Sequence, residues 1–135
     1  MTQHASGTFE VTLTPQNPAP GEESSVGRMR LDKVFSGELA GTSAGQMLAF
    51  RSDTQGSAGY VALERVSGTL HGRGGSFMLQ HSGSMDRGAL QLSVRVVPDS
   101  GTGELAGLSG EMALDQSGGG HAYTLSYTLP EATGA

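Results

Sequence analysis

Short runs of alternating apolar and polar residues, each broken by glycine, recur along the whole of this chain. That pattern leaves few folds open. Strict alternation marks a strand with one face buried, and a glycine-bearing turn after each run sends the chain back beside itself. Phe9, Val11 and Leu13 alternate with Thr8, Glu10 and Thr12, and Leu90, Leu92, Val94 and Val96 alternate with Gln91, Ser93 and Arg95. His121, Tyr123, Leu125, Tyr127 and Leu129 share a face opposite Ala122, Thr124, Ser126 and Thr128. Phe77, Leu79 and His81 do the same against Met78 and Gln80. Residues 59–70 form a strong strand whose facing is ambiguous, because Tyr60, Ala62, Glu64, Val66 and Leu70 oppose Val61, Leu63 and Arg65, and each face carries one charge.

The punctuation gives the organisation. Residues 15–25 hold three prolines and two glutamates and read as an exposed loop. Met29, Leu31, Phe35 and Leu39 read as one long, bent strand, followed by a turn at 41–45 and a short strand at 46–51. Further turns are expected at 53–56, 72–75, 86–88 and 118–120, a weaker strand within 105–115, and a flexible tail from Pro130. No segment has a helical period. The 135 residues therefore predict a single all-β domain, a closed antiparallel barrel of about eight strands in mostly meander order, since closure removes exposed edges. Gly-Glu-Leu-Ala-Gly occurs at 37–41 and again at 103–107, and Ser-Gly precedes an apolar residue at several places. These are read as bends or bulges of a curving sheet.

Composition excludes several functions. The chain has 22 glycines, no cysteine, no tryptophan and a net charge of −5. Disulfides, thiolate metal sites and cysteine nucleophiles are excluded. An acidic surface with few aromatics disfavours nucleic acid as a partner, and the one basic cluster, Arg28, Arg30 and Lys33, is too small to reverse that. Nor does the composition suggest a membrane partner: no run approaches the length of a membrane helix. The first eight residues do not read as a signal peptide, so the cytoplasm is the expected compartment.

Glu64 and His81 are the strongest chemical candidates. A hairpin centred on 72–75 would pair residue 66 or 67 with His81 and leave Glu64 one diagonal step away. A carboxylate beside an imidazole suits acid–base work or the anchoring of a polar ligand group; the plain alternative is a structural hydrogen bond or two solvent-facing residues. Tyr60, Tyr123 and Tyr127 would place hydroxyls along a cavity, although strand tyrosines commonly pack in the core. Arg51, Arg65 and Arg95 fit outer faces, but an inward Arg65 would hold an anion. His4, His71, His81 and His121 lack metal-site spacing, so neither a metal nor a cofactor is expected. Asp99-Ser100-Gly101-Thr102 matches a short aspartic-peptidase string, with a spoiled copy at 53–57, and also reads as an ordinary turn. The glycine-rich turns precede no helix and so do not read as phosphate loops.

Several stretches together carry a resemblance: His4-Ala-Ser-Gly-Thr-Phe-Glu-Val11, Phe35-Ser-Gly-Glu-Leu39, Tyr60-Val-Ala-Leu-Glu-Arg65, Gly75-Ser-Phe-Met-Leu-Gln-His81 and Ser100-Gly-Thr-Gly-Glu-Leu-Ala-Gly107. In this order they resemble the bacterial family known as domain of unknown function 3224. The resemblance implies a barrel similar to that of allene oxide cyclase, a shape that in plant enzymes encloses reactive small molecules. It assigns no catalytic residue. Three readings follow. In the first, the barrel binds an apolar or amphipathic small molecule, with Tyr60, Glu64, Arg65, His81, Tyr123 and Tyr127 as polar contacts and Phe77, Leu79 and Leu125 as lining. The second is a cyclase or isomerase moving a proton between Glu64 and His81. The third is an interaction role through homo-oligomers.

Overall fold

Alternation becomes eight strands among the described residues of the computed structural model, which are 2–17, 20–21, 25–115 and 120–130. They are β1 (Gln3–Gln16), β2 (Gly27–Gly37), β3 (Leu39–Arg51), β4 (Ala58–Leu70), β5 (Arg73–Asp86), β6 (Ala89–Val96), β7 (Ser109–Asp115) and β8 (His121–Thr128). Each pairs antiparallel with the next, and β8 pairs with β1 to close the barrel. The ladder is uneven. The β4–β5 register runs from Ala58↔Met85 to Leu70↔Arg73, whereas β6 and β7 meet only at Arg95↔Glu111.

One parity of every strand points inward. Phe9, Phe35, Leu39, Val66, Leu70, Phe77, Leu79, Val94, Val96, Tyr123 and Leu125 form the core. On β4 the even residues Ala62, Glu64 and Val66 are buried while Val61, Leu63 and Arg65 are exposed, which settles the facing that the pattern left open. One end of the barrel is capped by the β6–β7 connection. A 3-10 turn (Gly103–Leu105) sits in this connection, and Leu105 and Leu108 join the core from it. The opposite end carries the β3–β4 and β5–β6 turns, tied together by the Gly88 N–H donating to the Gly56 carbonyl at 3.0 Å.

Local boundaries differ from the sequence reading at four places. The expected long strand through Leu39 is two strands, because Gly37 adopts φ 109 and the chain reverses there. The expected turn at 41–45 lies within β3; Gly41 and Gly45 are needed there because a Cβ would fall 2.1 Å from the Ser67 and Leu63 carbonyl oxygens respectively. The β4–β5 turn is His71-Gly72, with φ 48 and 80, rather than 72–75. Positive φ at both central residues is what a tight hairpin demands. Finally, β1 continues through Pro15 to Gln16, so the exposed connection starts later than residue 15. Within that connection residues 18–19 and 22–24 lie outside the described residues. So do 118–119 of the expected glycine turn and the tail beyond Pro130.

Candidate functional site

Four strands deliver one buried polar group. Lys33 from β2, Ser43 from β3, Glu64 from β4 and His81 from β5 all have inward parity, and all are buried. Register β4–β5 sets Ala62 opposite His81, so Glu64 is a diagonal neighbour. The expected adjacency holds, although the register differs from the one predicted. Gly45 lies opposite Glu64 on β3, where its missing side chain lets the two backbones close around the carboxylate.

Glu64 is saturated. Its Oε1 accepts from Lys33 Nζ at 2.9 Å and from His81 Nε2 at 2.6 Å, and its Oε2 accepts from Ser43 Oγ at 2.5 Å. Burial would raise the carboxyl's pKa, but the His81 hydrogen bond, the Lys33 charge and the Ser43 hydroxyl outweigh it and hold the group at about 2. The Lys33 ammonium also faces the Phe9 ring at 4.9 Å and the Phe35 ring at 5.8 Å, so its remaining surface meets aromatic faces rather than water.

A carboxylate at Oε1 requires a proton on His81 Nε2. In the neutral ring Nδ1 is then the acceptor, and Tyr60 Oη lies 3.4 Å from it. The Tyr60 ring is accommodated by Gly83, where a Cβ would sit 2.4 Å from ring atom Cε1. Burial first, and the Glu64 charge second, raise the phenol's pKa, so Tyr60 stays a neutral hydroxyl. Lys33, Ser43 and His81 thus donate to Glu64, and Tyr60 donates to His81.

Tyr60 is where this network meets the pocket at the end of the barrel that carries the β3–β4 and β5–β6 turns. This pocket of about 620 Å³ opens opposite the β6–β7 cap, lined among the described residues by Met29, Met47, Ala49, Ala58, Tyr60 and Met85 and others. Glu64 and His81 do not line it. Arg51 does, at the rim and on the inward parity of β3 rather than on an outer face.

The other predicted site residues are dispersed. Arg65 is a correction: it points outward, where its guanidinium reaches Ser76 Oγ at 3.4 Å, because the even parity of β4 is the buried one. Phe77, Leu79 and Leu125 are fully packed core. Tyr123 Oη accepts from the Leu39 N–H at 2.9 Å and faces the Leu39 and Ser36 carbonyls, which fastens the β2–β3 turn. Tyr127 Oη bonds His71 Nδ1, while His71 Nε2 meets Glu38 at 3.2 Å. Both tyrosines therefore fasten turns of the capped end and do not line the open pocket.

The peptidase-like string is a turn. Asp99 is exposed at φ 63, Ser100 Oγ donates to the Val97 carbonyl at 2.7 Å, and Thr102 Oγ1 accepts from the Ser76 N–H at 3.0 Å. Asp53 stands in the β3–β4 turn at the other end, so the two carboxyls cannot share a proton. Among the described residues no group of three or more His, Asp or Glu is placed to hold a metal ion.

Lys33 and Ser43 were not anticipated as site residues. Lys33 shares the odd parity of Leu31 and Phe35, and that parity was the available signal. Ser43 was hidden by the turn expected at 41–45.

The comparisons agree with this architecture. No curated protein matches the chain. It is similar to a crystal structure of a protein of unknown function from the DUF3224 family of Shewanella oneidensis MR-1, with 47% identity, a TM-score of 0.90, and coverage of 98% of this chain and 100% of that one. The family described as "Protein of unknown function (DUF3224)" matches residues 5–127, and this eight-stranded barrel belongs to it.

Proposed function

We propose that the protein binds a small apolar or amphipathic molecule in the open end of the barrel, with Tyr60 as the polar contact at the floor. The observation that carries this reading is the pocket of about 620 Å³ faced by three methionines and ending on a tyrosine backed by a buried ionic network. Its volume lies in the range of small-molecule sites. Methionine side chains adapt to irregular apolar shapes, and the Tyr60 hydroxyl can accept from a ligand hydroxyl or rotate to donate to a carbonyl.

Proton transfer between Glu64 and His81 gains less support. Glu64 is 0% exposed, its oxygens are taken by three donors, and a carboxyl held at about 2 is a weak base at neutral pH. The network acts as a support that fixes the His81 tautomer and through it the Tyr60 hydroxyl.

The test uses protein labelled with 13C at the methionine methyls, titrated with octan-1-ol. Binding in the pocket shifts Met29, Met47 and Met85 saturably and leaves the buried core residue Met112 in place; Ala49→Phe, which fills the mouth, abolishes the shifts. Absence of any saturable shift with octan-1-ol, octanoate and octylammonium would overturn the reading. Native mass spectrometry of protein isolated from its own host then identifies the molecule carried.

A second reading rests on a different surface. Leu48, Phe50, Val61 and Leu63 are 44–52% exposed on the outer face of β3 and β4, with Leu48 directly opposite Val61. Such a patch suits association of copies. Light scattering that gives a monomer at high concentration excludes it.

A further inference from the structure

The geometry points to an anionic headgroup on the pocket's ligand: an apolar chain or ring system bearing a single carboxylate or similar monoanion, placed so that the anion meets Arg51 at the rim. This rests on the binding reading above and sharpens it.

The chain carries a net charge of −5, yet among the described residues the pocket lining contains one cation and no carboxylate. Its described lining residues are Met29, Met47, Ala49, Ala58, Tyr60, Met85 and their glycine, serine and apolar neighbours, with Arg51 as the single charged member among them. Arg51 makes no ion pair among the described residues. The floor offers no complementary charge, since the Lys33 ammonium and the Glu64 carboxylate neutralise each other at 2.9 Å. A charged group carried to the floor would be desolvated without a partner. A charge left at the rim stays hydrated and finds the guanidinium, whose planar donors suit a carboxylate. A cationic headgroup would meet Arg51 with like charge. Asp53 in the β3–β4 turn and Asp86 at the last position of β5 stand at the same end but outside the lining; they temper the preference without supplying a cation site within it.

The effect is modest in size, because Arg51 is exposed and an exposed pair contributes at most about 1 kcal/mol, roughly five-fold in affinity. The experiment therefore compares one eight-carbon body with three headgroups, octanoate, octan-1-ol and octylammonium, at low ionic strength. Affinity is read from the methionine methyl shifts. Arg51→Gln is expected to weaken octanoate about three- to five-fold and leave octan-1-ol unchanged. Arg51→Glu is expected to reverse the order and favour octylammonium. Raising the salt to about 0.5 M should erase the difference, because the Debye length falls well below 10 Å. If octan-1-ol binds but neither Arg51 variant alters the headgroup order, this inference is overturned while the binding reading stands. If none of the three probes binds, both fall.

Discussion

The Lys33 ammonium and the Glu64 carboxylate meet at 2.9 Å inside the barrel, with side-chain exposures of 5% and 0%. A pair so removed from water contributes little net stability, because desolvating both ions offsets most of their attraction, but deleting one partner strands the other. Glu64→Gln leaves an ammonium between two phenylalanine rings, and Lys33→Met leaves a carboxylate with only Ser43 and His81. Each change is expected to cost about 3–5 kcal/mol. The double variant Lys33→Met, Glu64→Gln should cost less than the sum of the two. Urea unfolding, with the slope checked for constancy, measures this cycle.

The same carboxylate makes stability depend on acid. Glu64 sits at about 2 in the folded chain against 4.5 for the free group. A depressed carboxyl stabilises the fold fully above the unfolded value and loses that contribution as pH falls from about 4.5 towards 2. The loss is of order 3 kcal/mol, from 1.36 kcal/mol per pKa unit. Acid titration followed by circular dichroism should show unfolding in that window. Glu64→Gln should flatten the profile there, on a lower baseline. In Lys33→Met the window should move upward, since the main opposing charge is gone.

How far this site could be read from the sequence follows from parity. Alternation alone places Glu64, His81 and Tyr60 on strands with inward residues, and both the expected register, with residue 66 opposite His81, and the observed one, with Ala62 opposite it, leave Glu64 one diagonal step away. The pairing thus survived a register that proved different. Lys33 was legible in principle, because it lies midway between Leu31 and Phe35 on the same face, but a lysine is rarely buried and reads as surface. Ser43 was obscured by the glycines at 41 and 45. Those glycines resemble turn residues in sequence, and only the neighbouring strand reveals that they permit close approach of two backbones. Tyr123 and Tyr127 share the face of Leu125, as expected, but parity cannot tell which end of a barrel a residue serves. That depends on the tilt of the strands, which is set by the whole ladder.

Gly45 offers a direct check of close approach. A Cβ there would lie 2.1 Å from the Leu63 carbonyl oxygen and 2.6 Å from Glu64 Cα, both backbone atoms that cannot rotate away. Gly27, in contrast, has its nearest neighbour at 3.8 Å. Gly45→Ala is expected to destabilise by about 1–3 kcal/mol through strain and to disturb the Glu64 hydrogen bonds. Gly27→Ala should be close to neutral or slightly stabilising. Thermal melts of the two variants separate a packing requirement from a general effect of losing glycine.

Tyr123 tests whether the two ends of the barrel act independently. Its hydroxyl accepts from the Leu39 N–H at 2.9 Å and donates towards the Leu39 carbonyl at 2.8 Å, within a buried setting. Tyr123→Phe keeps the ring that packs edge-on against Phe35 at 5.6 Å but leaves the Leu39 N–H and C=O without the hydroxyl. The expected cost is about 1–3 kcal/mol, the penalty for buried groups left unpaired. Tyr60→Phe removes a longer contact, 3.4 Å to His81 Nδ1, from a half-buried position, and should cost less than about 1 kcal/mol. Ligand affinity should follow the opposite order. Tyr123→Phe leaves octan-1-ol binding intact because its hydroxyl fastens the capped end, whereas Tyr60→Phe weakens it because the polar contact of the open end is lost. Equal effects of the two variants on affinity would mean that the tyrosines act through overall stability and that Tyr60 does not contact the ligand.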